Sequence, residues 1–533
     1  MVRRESTRAF ELSRRDFLIT TSGALAGMAT FGLVDRAAAG KRHPQRGGTL
    51  QYGSRIDVAS VDAHRHNQNQ IVNTTAVMYN GLTDIDQRGN IVPSLAESWE
   101  PNQELSAWVF RLRKGVLFHN GREVDAEAVK LNIMRIQDPA VGNDYARATL
   151  ENVDSVDVLD KYTVRINARV PDVSLPSSVM RYPIIMMAPD AFETAAERPI
   201  GTGPFKFVSW TRNHETRLMR FENYWETDAE GNSLPYADEI IGKVKSEDSV
   251  RLTALRTGQV HLIDDVAAAD VERFRQEHGA KYNTWTWHAG GQFVAFNWLS
   301  PVFQDKRLRT AAAHAIDRQA LHHVVYYGQG HMSDQAYPPG DPWHLEGIRS
   351  PEYDPDKARA LLREARAVGT AVRIVALSTT SLVRETVQVI QESWNAVGLK
   401  VTLELLDQAP FIEATRAGRF DARLGGHTYR YDPNDWFARN LHSKSHFNQT
   451  FSRWYNERFD RLVEEAKQTV DMARRKELYA EAWNIVNVEL PFFYLHETVR
   501  TSAADKKLRG YQPGSAGALT YYGGGFRTAY IEA

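Results

Sequence analysis

Apolar positions recur at two periods along this chain, every second residue in some stretches and every third or fourth in others. That predicts strands and helices in alternation. Gly48-Thr-Leu-Gln-Tyr52 puts Leu50 and Tyr52 on one face of an opening strand. Trp108-Val-Phe-Arg-Leu-Arg113 alternates in the same way, and His119-Asn120-Gly121 follows as a turn. Asp125 is placed to cap a helix whose stripe is Val129, Ile133 and Ile136, ended by Pro139. Val153–Val170 predicts two strands joined at Leu159-Asp160-Lys161. Gly201-Thr-Gly-Pro204 is a tight turn into a strand, Phe205–Trp210. A strand near Ile240–Lys245, a short helix over Ser249–Thr257 closed by Gly258, and a strand over Val260–Ile263 follow.

The remaining half is richer in helix. Asp305 opens a helix carrying Leu308, Ala312, Ala315, Ile316 and Val324, stopped by Gly328. Asp356 opens another, with Leu361, Leu362, Ala365 and Val368 ahead of Gly369. Val383–Val397 is helical with Gly398 as its cap, and Val401–Leu405 alternates as a strand, an α-then-β unit of a layered lobe. Asn456 starts a helix with Phe459, Leu462, Val463 and Ala466 on one face, and a further helix runs from Met472 to Val488, ending before Pro491. No internal repeat and no long low-complexity linker occurs, so the halves are expected to pack closely.

The first 39 residues are set apart from this pattern. Ser13-Arg14-Arg15-Asp16-Phe17-Leu18 resembles the twin-arginine export signature, the weakly apolar stretch Ile19–Val34 follows, and Ala37-Ala38-Ala39 offers a cleavage site. Residues 1–39 are therefore expected to be an export signal, and the mature protein is expected to be periplasmic. The chain has 533 residues, 65 Lys and Arg against 66 Asp and Glu, and no cysteine. Its length suggests several structural units. Its balanced charge offers no field for nucleic acid or an anionic membrane. The lack of cysteine excludes disulfides, thiolate metal sites, Cys nucleophiles and a lipid anchor on an N-terminal Cys.

Catalytic signatures are sparse. There is no Gly-x-Ser-x-Gly and no Walker-type Gly-Lys-Ser/Thr. Gly328-Gln-Gly330 lacks the third glycine of a dinucleotide turn. His496-Glu497 begins like a zinc-protease helix, but Arg500 stands where the second His belongs. His64-Arg-His66 is either a metal-binding pair or a solvated, capping one. No catalytic residue, no resident metal and no cofactor is expected.

Several stretches then fall into one ordered pattern: Gly81-Leu-Thr-Asp-Ile-Asp, Pro93-Ser-Leu-Ala-Glu-Ser-Trp-Glu100, Phe110-Arg-Leu-Arg-Lys-Gly-Val-Leu-Phe-His-Asn-Gly121, Gly201-Thr-Gly-Pro-Phe205, Asn223-Tyr-Trp225, Leu255-Arg-Thr-Gly-Gln-Val260, Ala313-His-Ala-Ile-Asp-Arg318 and Tyr353-Asp-Pro-Asp-Lys-Ala358. With them the chain resembles a family-five extracellular solute-binding protein, the receptor class of ABC importers for peptides, nickel complexes, glutathione, opines and some sugars. The resemblance implies an α/β, two-lobed periplasmic binding protein fold of the large peptide-binding subclass. Lobe I would hold residues 40–292 plus 500–533, with an extra subdomain near 82–198, and lobe II 293–499. It also implies a monomer that closes on its cargo and docks on a membrane permease.

The same resemblance points to Gly425-Gly-His-Thr-Tyr-Arg-Tyr-Asp-Pro433. Peptide-binding relatives often carry there an Asp that receives the peptide's terminal ammonium. Here Arg430 occupies that place and His427 stands where Trp is frequent. An Arg in a dry cleft prefers a carboxylate or phosphate. Tyr429 and Tyr431 flank it, and Asp432 either fixes the loop or touches cargo. From lobe I the candidates are His64, His66 and Asn67 in the 56–70 loop and Tyr521 and Tyr522 in the tail, and Asn297 and Trp298 are candidates near the first lobe crossing. The expected cargo is a peptide or another small polar, carboxylate-bearing solute. A nickel-chelate receptor using His64, His66, His427, His442 or His446 is the alternative within the family. An exported hydrolase acting in the cleft is the alternative outside it.

Overall fold

A computed structural model describes residues 44–533, apart from 59, 66–75, 87–88, 181–183, 379, 428–429, 512, 515–519, 522–523 and 533. Residues 1–39, expected to be an export signal, therefore lie outside the described residues. The strands that carry the fold are, in chain order, β1 (Thr49–Ser54), β2 (Ala96–Pro101), β3 (Ala107–Leu112), β4 (Val153–Asp160), β5 (Thr163–Ala168), β6 (Phe205–Thr211), β7 (Glu215–Arg220), β8 (Glu239–Val244), β9 (Leu262–Val266), β10 (Tyr282–Phe296), β11 (Ala371–Leu377), β12 (Lys400–Leu406), β13 (Ala422–His427) and β14 (Phe492–Asp505). Strands β2, β3, β5 and β4 form a separate four-stranded sheet. Trp108, Phe110 and Leu112 pack one face of it on the stripe Val129, Ile133, Ile136 of helix α1 (Ala126–Gln137). Asp125 caps that helix by accepting the Ala128 N–H at 2.8 Å.

The large sheet runs β12-β11-β13-β10-β14-β9-β1-β8-β7-β6, with the two-residue strand His331–Met332 pairing on β14 off this path. Its two longest members join the halves. Antiparallel β10 and β14 stay in register from Tyr282 opposite Asp505 to Ala295 opposite Phe492, with shifts at His288/Gly290 and Gln292/Phe293. At one end β14 is flanked by β9, through Leu262 opposite Ala504. At the other end β10 is flanked by β13, through Gly291 opposite His427 to Phe296 opposite Ala422. Beyond the shift β10 alternates cleanly. Phe293 and Ala295 enter one core with Trp436, Trp483 and Tyr494, while Val294 and Phe296 enter another with Phe303 and Trp394.

Helix α2 (Asp144–Thr149) follows α1 in the smaller sheet's half. The second half carries α3 (Lys306–His314), α4 (Arg318–Val324), α5 (Pro355–Glu364), α6 (Ser381–Val397), α7 (Pro433–Leu441), α8 (Glu457–Lys467) and α9 (Met472–Glu489). Two expectations are corrected. The helix expected over 305–328 is two helices, because Asp317 accepts the Ala320 N–H at 2.9 Å and caps a new one. The cap of α5 is Asp354, which accepts the Lys357 N–H at 2.8 Å, and Asp356 lies in its first turn. Gly398 ends α6 in the left-handed region, φ 108°. His496-Glu497 lies in strand β14 rather than in a helix.

Candidate functional site

The site lies where the two long strands change register. Gly290 takes a left-handed φ of 107°, which a side chain disfavours. At Gly291 a Cβ would collide with Tyr494 Oη and Glu497 Oε1, so the backbone there runs directly against a buried polar group. Those two side chains point from β14 toward His427 at the end of β13. Tyr494 O–H donates to Glu497 Oε1, and His427 Nε2 hydrogen-bonds to Tyr494 Oη while lying 3.4 Å from Glu497 Oε1. Burial, and then the Glu497 charge, push the Tyr494 hydroxyl well above its ordinary pKa.

Above this floor opens a cavity of about 350 Å³ lined by Tyr145, Gly291, Gln292, Gly426, His427, Arg430, Arg439, Asn440, Phe447 and Thr498. Helix α7 builds one wall. Asp432 caps it by accepting the Asn434 N–H at 2.8 Å, and Arg439 and Asn440 come forward one to two turns later. The opposite wall is Tyr145 on α2. The Arg430 guanidinium lies 4.3 Å from the Tyr145 ring centroid and that of Arg439 lies 4.5 Å from it, so one ring takes two cations. Burial, and then the charge of Arg439, push Arg430 down to about 9. Burial, and then Asp432, push the Asp435 carboxyl up to about 7. Among the described residues no carboxylate lines the cavity and none forms an ion pair with Arg430.

Other contacts tie the same two regions together. Lys467 Nζ lies 3.3 Å from Asp172 Oδ2, the Val173 N–H donates to Lys467 O at 2.9 Å, and Asn434 Nδ2 donates to Ser174 Oγ at 3.1 Å. Tyr431 packs against the buried cluster of Ile85 and Met180.

The sequence candidates separate in the structure. Arg430 and His427 line the cavity together. Tyr431 belongs to the contact just described. Asp432 is taken by the α7 cap and by Arg475, whose Nη2 lies 2.7 Å from its Oδ1. Asn297 is buried and donates to Phe420 O at 2.8 Å, and Trp298 lies beneath the Arg309 guanidinium at 3.8 Å and edge-on to Trp454. Neither is among the cavity's lining. His64 is buried, with Nε2 3.0 Å from Ile185 O and Nδ1 2.9 Å from Arg135 Nη1. His442 meets Glu464 at 3.1 Å. The proposed nickel ligands His64, His427 and His442 thus have separate partners, and among the described residues no group of three potential ligands could hold a metal. His66, Asn67, Tyr429 and Tyr522 lie outside the described residues, as do the side chains of Tyr521 and His446. Tyr521 is described only as part of a two-residue strand pairing Gly524–Gly525.

Sequence reasoning missed Tyr145, Arg439, Gln292 and Thr498. Only Arg439 had a local signal, at helical spacing from Asp435 after the Asp-Pro helix start. No helix among the described residues is long and apolar enough to cross a membrane.

A mixed α/β chain of two lobes, bridged by paired long strands with a polar cavity at their bend, is a two-lobed periplasmic binding protein. The family model of bacterial extracellular solute-binding proteins, family 5, matches residues 90–449, and the chain belongs to that family. It is a substrate-binding protein of the ABC-importer kind. It is 27% identical to di/tripeptide-binding protein 1 of Pseudomonas aeruginosa strain UCBPP-PA14, over 79% of this chain and 84% of that one. It is 26% identical to heme-binding protein A of Haemophilus influenzae, over 85% and 86% of the two chains. Among solved structures, the periplasmic binding protein AgaA of A. tumefacien R10 in complex with agropinic acid superimposes with a TM-score of 0.79 at 25% identity, covering 91% of this chain and 99% of that one. These relatives are named as binding proteins, and the ligands in their names differ in chemistry.

Proposed function

We propose that this protein captures a small, carboxylate-bearing polar solute between its lobes and presents the closed form to an ABC permease as a monomer, without altering the solute. The observation that carries the cargo reading is Arg430: a guanidinium lining the cavity, pushed down in pKa by burial, with no ion-pair partner among the described residues. A buried cation of this kind is stabilised by an acidic group supplied from outside. Lobe I comprises residues 40–292 and 500–533 and lobe II residues 293–499. The register shifts of β10 and β14 near 288–293 support that boundary and supply the hinge. The peptide ligands of several relatives suit the same cavity provided the peptide's carboxylate, rather than its ammonium, meets Arg430. The twin-arginine segment delivers the folded protein to the periplasm.

The test is calorimetry with the purified protein and its identified cargo, found by native mass spectrometry of freshly prepared material. Arg430→Ala is expected to weaken binding by at least an order of magnitude, since a charge-assisted contact contributes about 1.5–3 kcal/mol. Unchanged affinity rejects the assignment. A cargo recovered chemically transformed rejects the receptor reading.

A further inference from the structure

The uncharged part of the cavity lining has a fixed hydrogen-bonding sense. Asn440, in the last turn of α7, lines the cavity and is only 5% exposed. Its Nδ2 donates to the Trp436 carbonyl at 2.8 Å, four residues back in the helix. A carbonyl oxygen only accepts, so the amide cannot be turned round without losing that bond. Oδ1 is therefore the atom left over. It has no hydrogen bond among the described residues, yet it is not closed off as Asn434 Oδ1 is on the same helix.

Gln292 lines the same cavity from β10 with the opposite sense. Its Oε1 accepts the Tyr326 O–H and lies 3.4 Å from Thr386 Oγ1. Tyr326 is buried, and burial raises its hydroxyl above the ordinary range, so it keeps its proton and needs an acceptor. That need holds the Gln292 oxygen on the Tyr326 side and leaves Nε2, with two N–H groups, as the atom to offer cargo. Thr498 donates its hydroxyl proton to Gly290 O at 2.6 Å and can otherwise only accept. Beside the Arg430 guanidinium the cavity thus presents one neutral donor, Gln292, and a buried neutral acceptor, Asn440.

We infer that Asn440 and Gln292 are specificity-determining residues: the molecule whose carboxylate meets Arg430 must also carry a neutral group with a donor for Asn440 Oδ1 and an acceptor for Gln292 Nε2, as a secondary amide does. This rests on the receptor reading above and narrows it. Selection comes from the mismatch. A cargo without the N–H strips Asn440 Oδ1 of water and leaves it unpaired, and a site built to hydrogen-bond a group strongly rejects the analogue that lacks it. The N–H and C=O of a trans amide point in opposite directions, and the two residues come from different elements, α7 and β10. Both side chains are held from behind, by Trp436 O and by Tyr326, so they lose little freedom when cargo binds and do not reorient for a different one. The cavity's volume of about 350 Å³ suits a small acid of this kind.

The test uses the full mature protein, calorimetry and matched probes: N-acetyl-alanine, N-acetyl-dialanine and N-acetyl-trialanine. Each is measured beside two analogues, one with an ester oxygen in place of the N–H of its last amide and one with a carboxamide in place of its carboxylate. At least one acid is expected to bind, and its ester analogue to bind at least about tenfold more weakly, the cost of an unpaired buried acceptor. In Asn440→Ala that preference is expected to fall to near parity while the preference for carboxylate over carboxamide persists. In Arg430→Ala the reverse is expected. Gln292→Met, which cannot donate, is expected to weaken the acid by about tenfold and to leave the amide-over-ester ratio in place. Melting curves report the folding of each variant, and the ester comparison in wild-type protein does not depend on any of them. Equal binding of amide and ester, a full amide preference in Asn440→Ala, or unchanged affinity in Gln292→Met overturns the inference. If esters match amides while carboxamides bind weakly, the amide requirement fails and the acid reading stands. If acid and carboxamide bind alike, the acid reading is the one that fails. If wild-type protein binds none of these compounds, the inference is rejected.

Discussion

Lys467 on helix α8 reaches Asp172 in the smaller half, Nζ to Oδ2 3.3 Å, and the same lysine's carbonyl accepts the Val173 N–H at 2.9 Å. Both side chains are largely buried, at 15% and 5% exposure, so the pair is screened little by solvent. On the lobe boundaries proposed above, the pair bridges the two lobes. Lys467→Ala is expected to weaken cargo binding by roughly tenfold through a faster off-rate. Stopped-flow dissociation checks this, and an unchanged off-rate would show that the pair does not bias closure.

Gly291 is held against Tyr494 and Glu497 at the bend of the bridging strands. Gly291→Ala forces a methyl into that space, and the expected cost is about 1–3 kcal/mol of stability. At Gly426, in the neighbouring strand, a methyl would meet its nearest atom, the Gly291 carbonyl oxygen, at 3.3 Å, so Gly426→Ala is expected to cost less. Urea unfolding of the two variants side by side settles the order, and equal midpoints contradict the close-approach argument.

Asp435 carries a pH dependence of definite sign. Burial, then Asp432, raise its carboxyl from the ordinary 3.8 to about 7. The folded protein therefore holds a proton that the unfolded chain releases, and this group's contribution to stability is present below 3.8 and lost as the pH rises through about 7. Asp435→Asn is expected to melt above wild type at pH 8 and together with it at pH 4. The same difference at both values would mean that the carboxyl ionises normally.

His496 acts in the opposite direction. Burial, then His322, push its imidazole from 6.5 down to about 3, and its ring stacks on Tyr326 at 3.7 Å. Stability from this group is present above 6.5 and lost as the pH falls toward 3. A melting series from pH 7 to pH 4 should show acid destabilisation that His496→Phe diminishes.

The proposed reading of residues 1–39 as an export signal yields a cellular prediction. Arg14→Lys combined with Arg15→Lys is expected to leave the precursor inside the cell, as judged by fractionation and immunoblotting. Normal export of that variant refutes the twin-arginine reading.

Local pattern carried much of the architecture. The period-two alternation of Trp108, Phe110 and Leu112, the caps at Asp125 and Asn456, and the stop at Gly398 are set by neighbours within a few residues, and all recur in the fold. The spaced motifs placed the chain in its family for the same reason. The long strand β10 was not read from the sequence, where Gly290-Gly291 interrupts the apolar alternation at what is a bend within one strand. Nor did proximity along the chain reveal function: Asn297 and Trp298, close to the crossing, turned into packing, while Arg430 reached the cavity.

The residue types near position 430 announced an unusual cation, but what surrounds that cation was a matter for the folded chain. Tyr145 meets Arg430 and Arg439 only because strand pairing and helix packing bring remote segments together. Hydrophobic period and capping are local properties that a one-dimensional pattern can store. The charge balance of a cavity is a sum over segments far apart in the chain, and it exists only once they are in place.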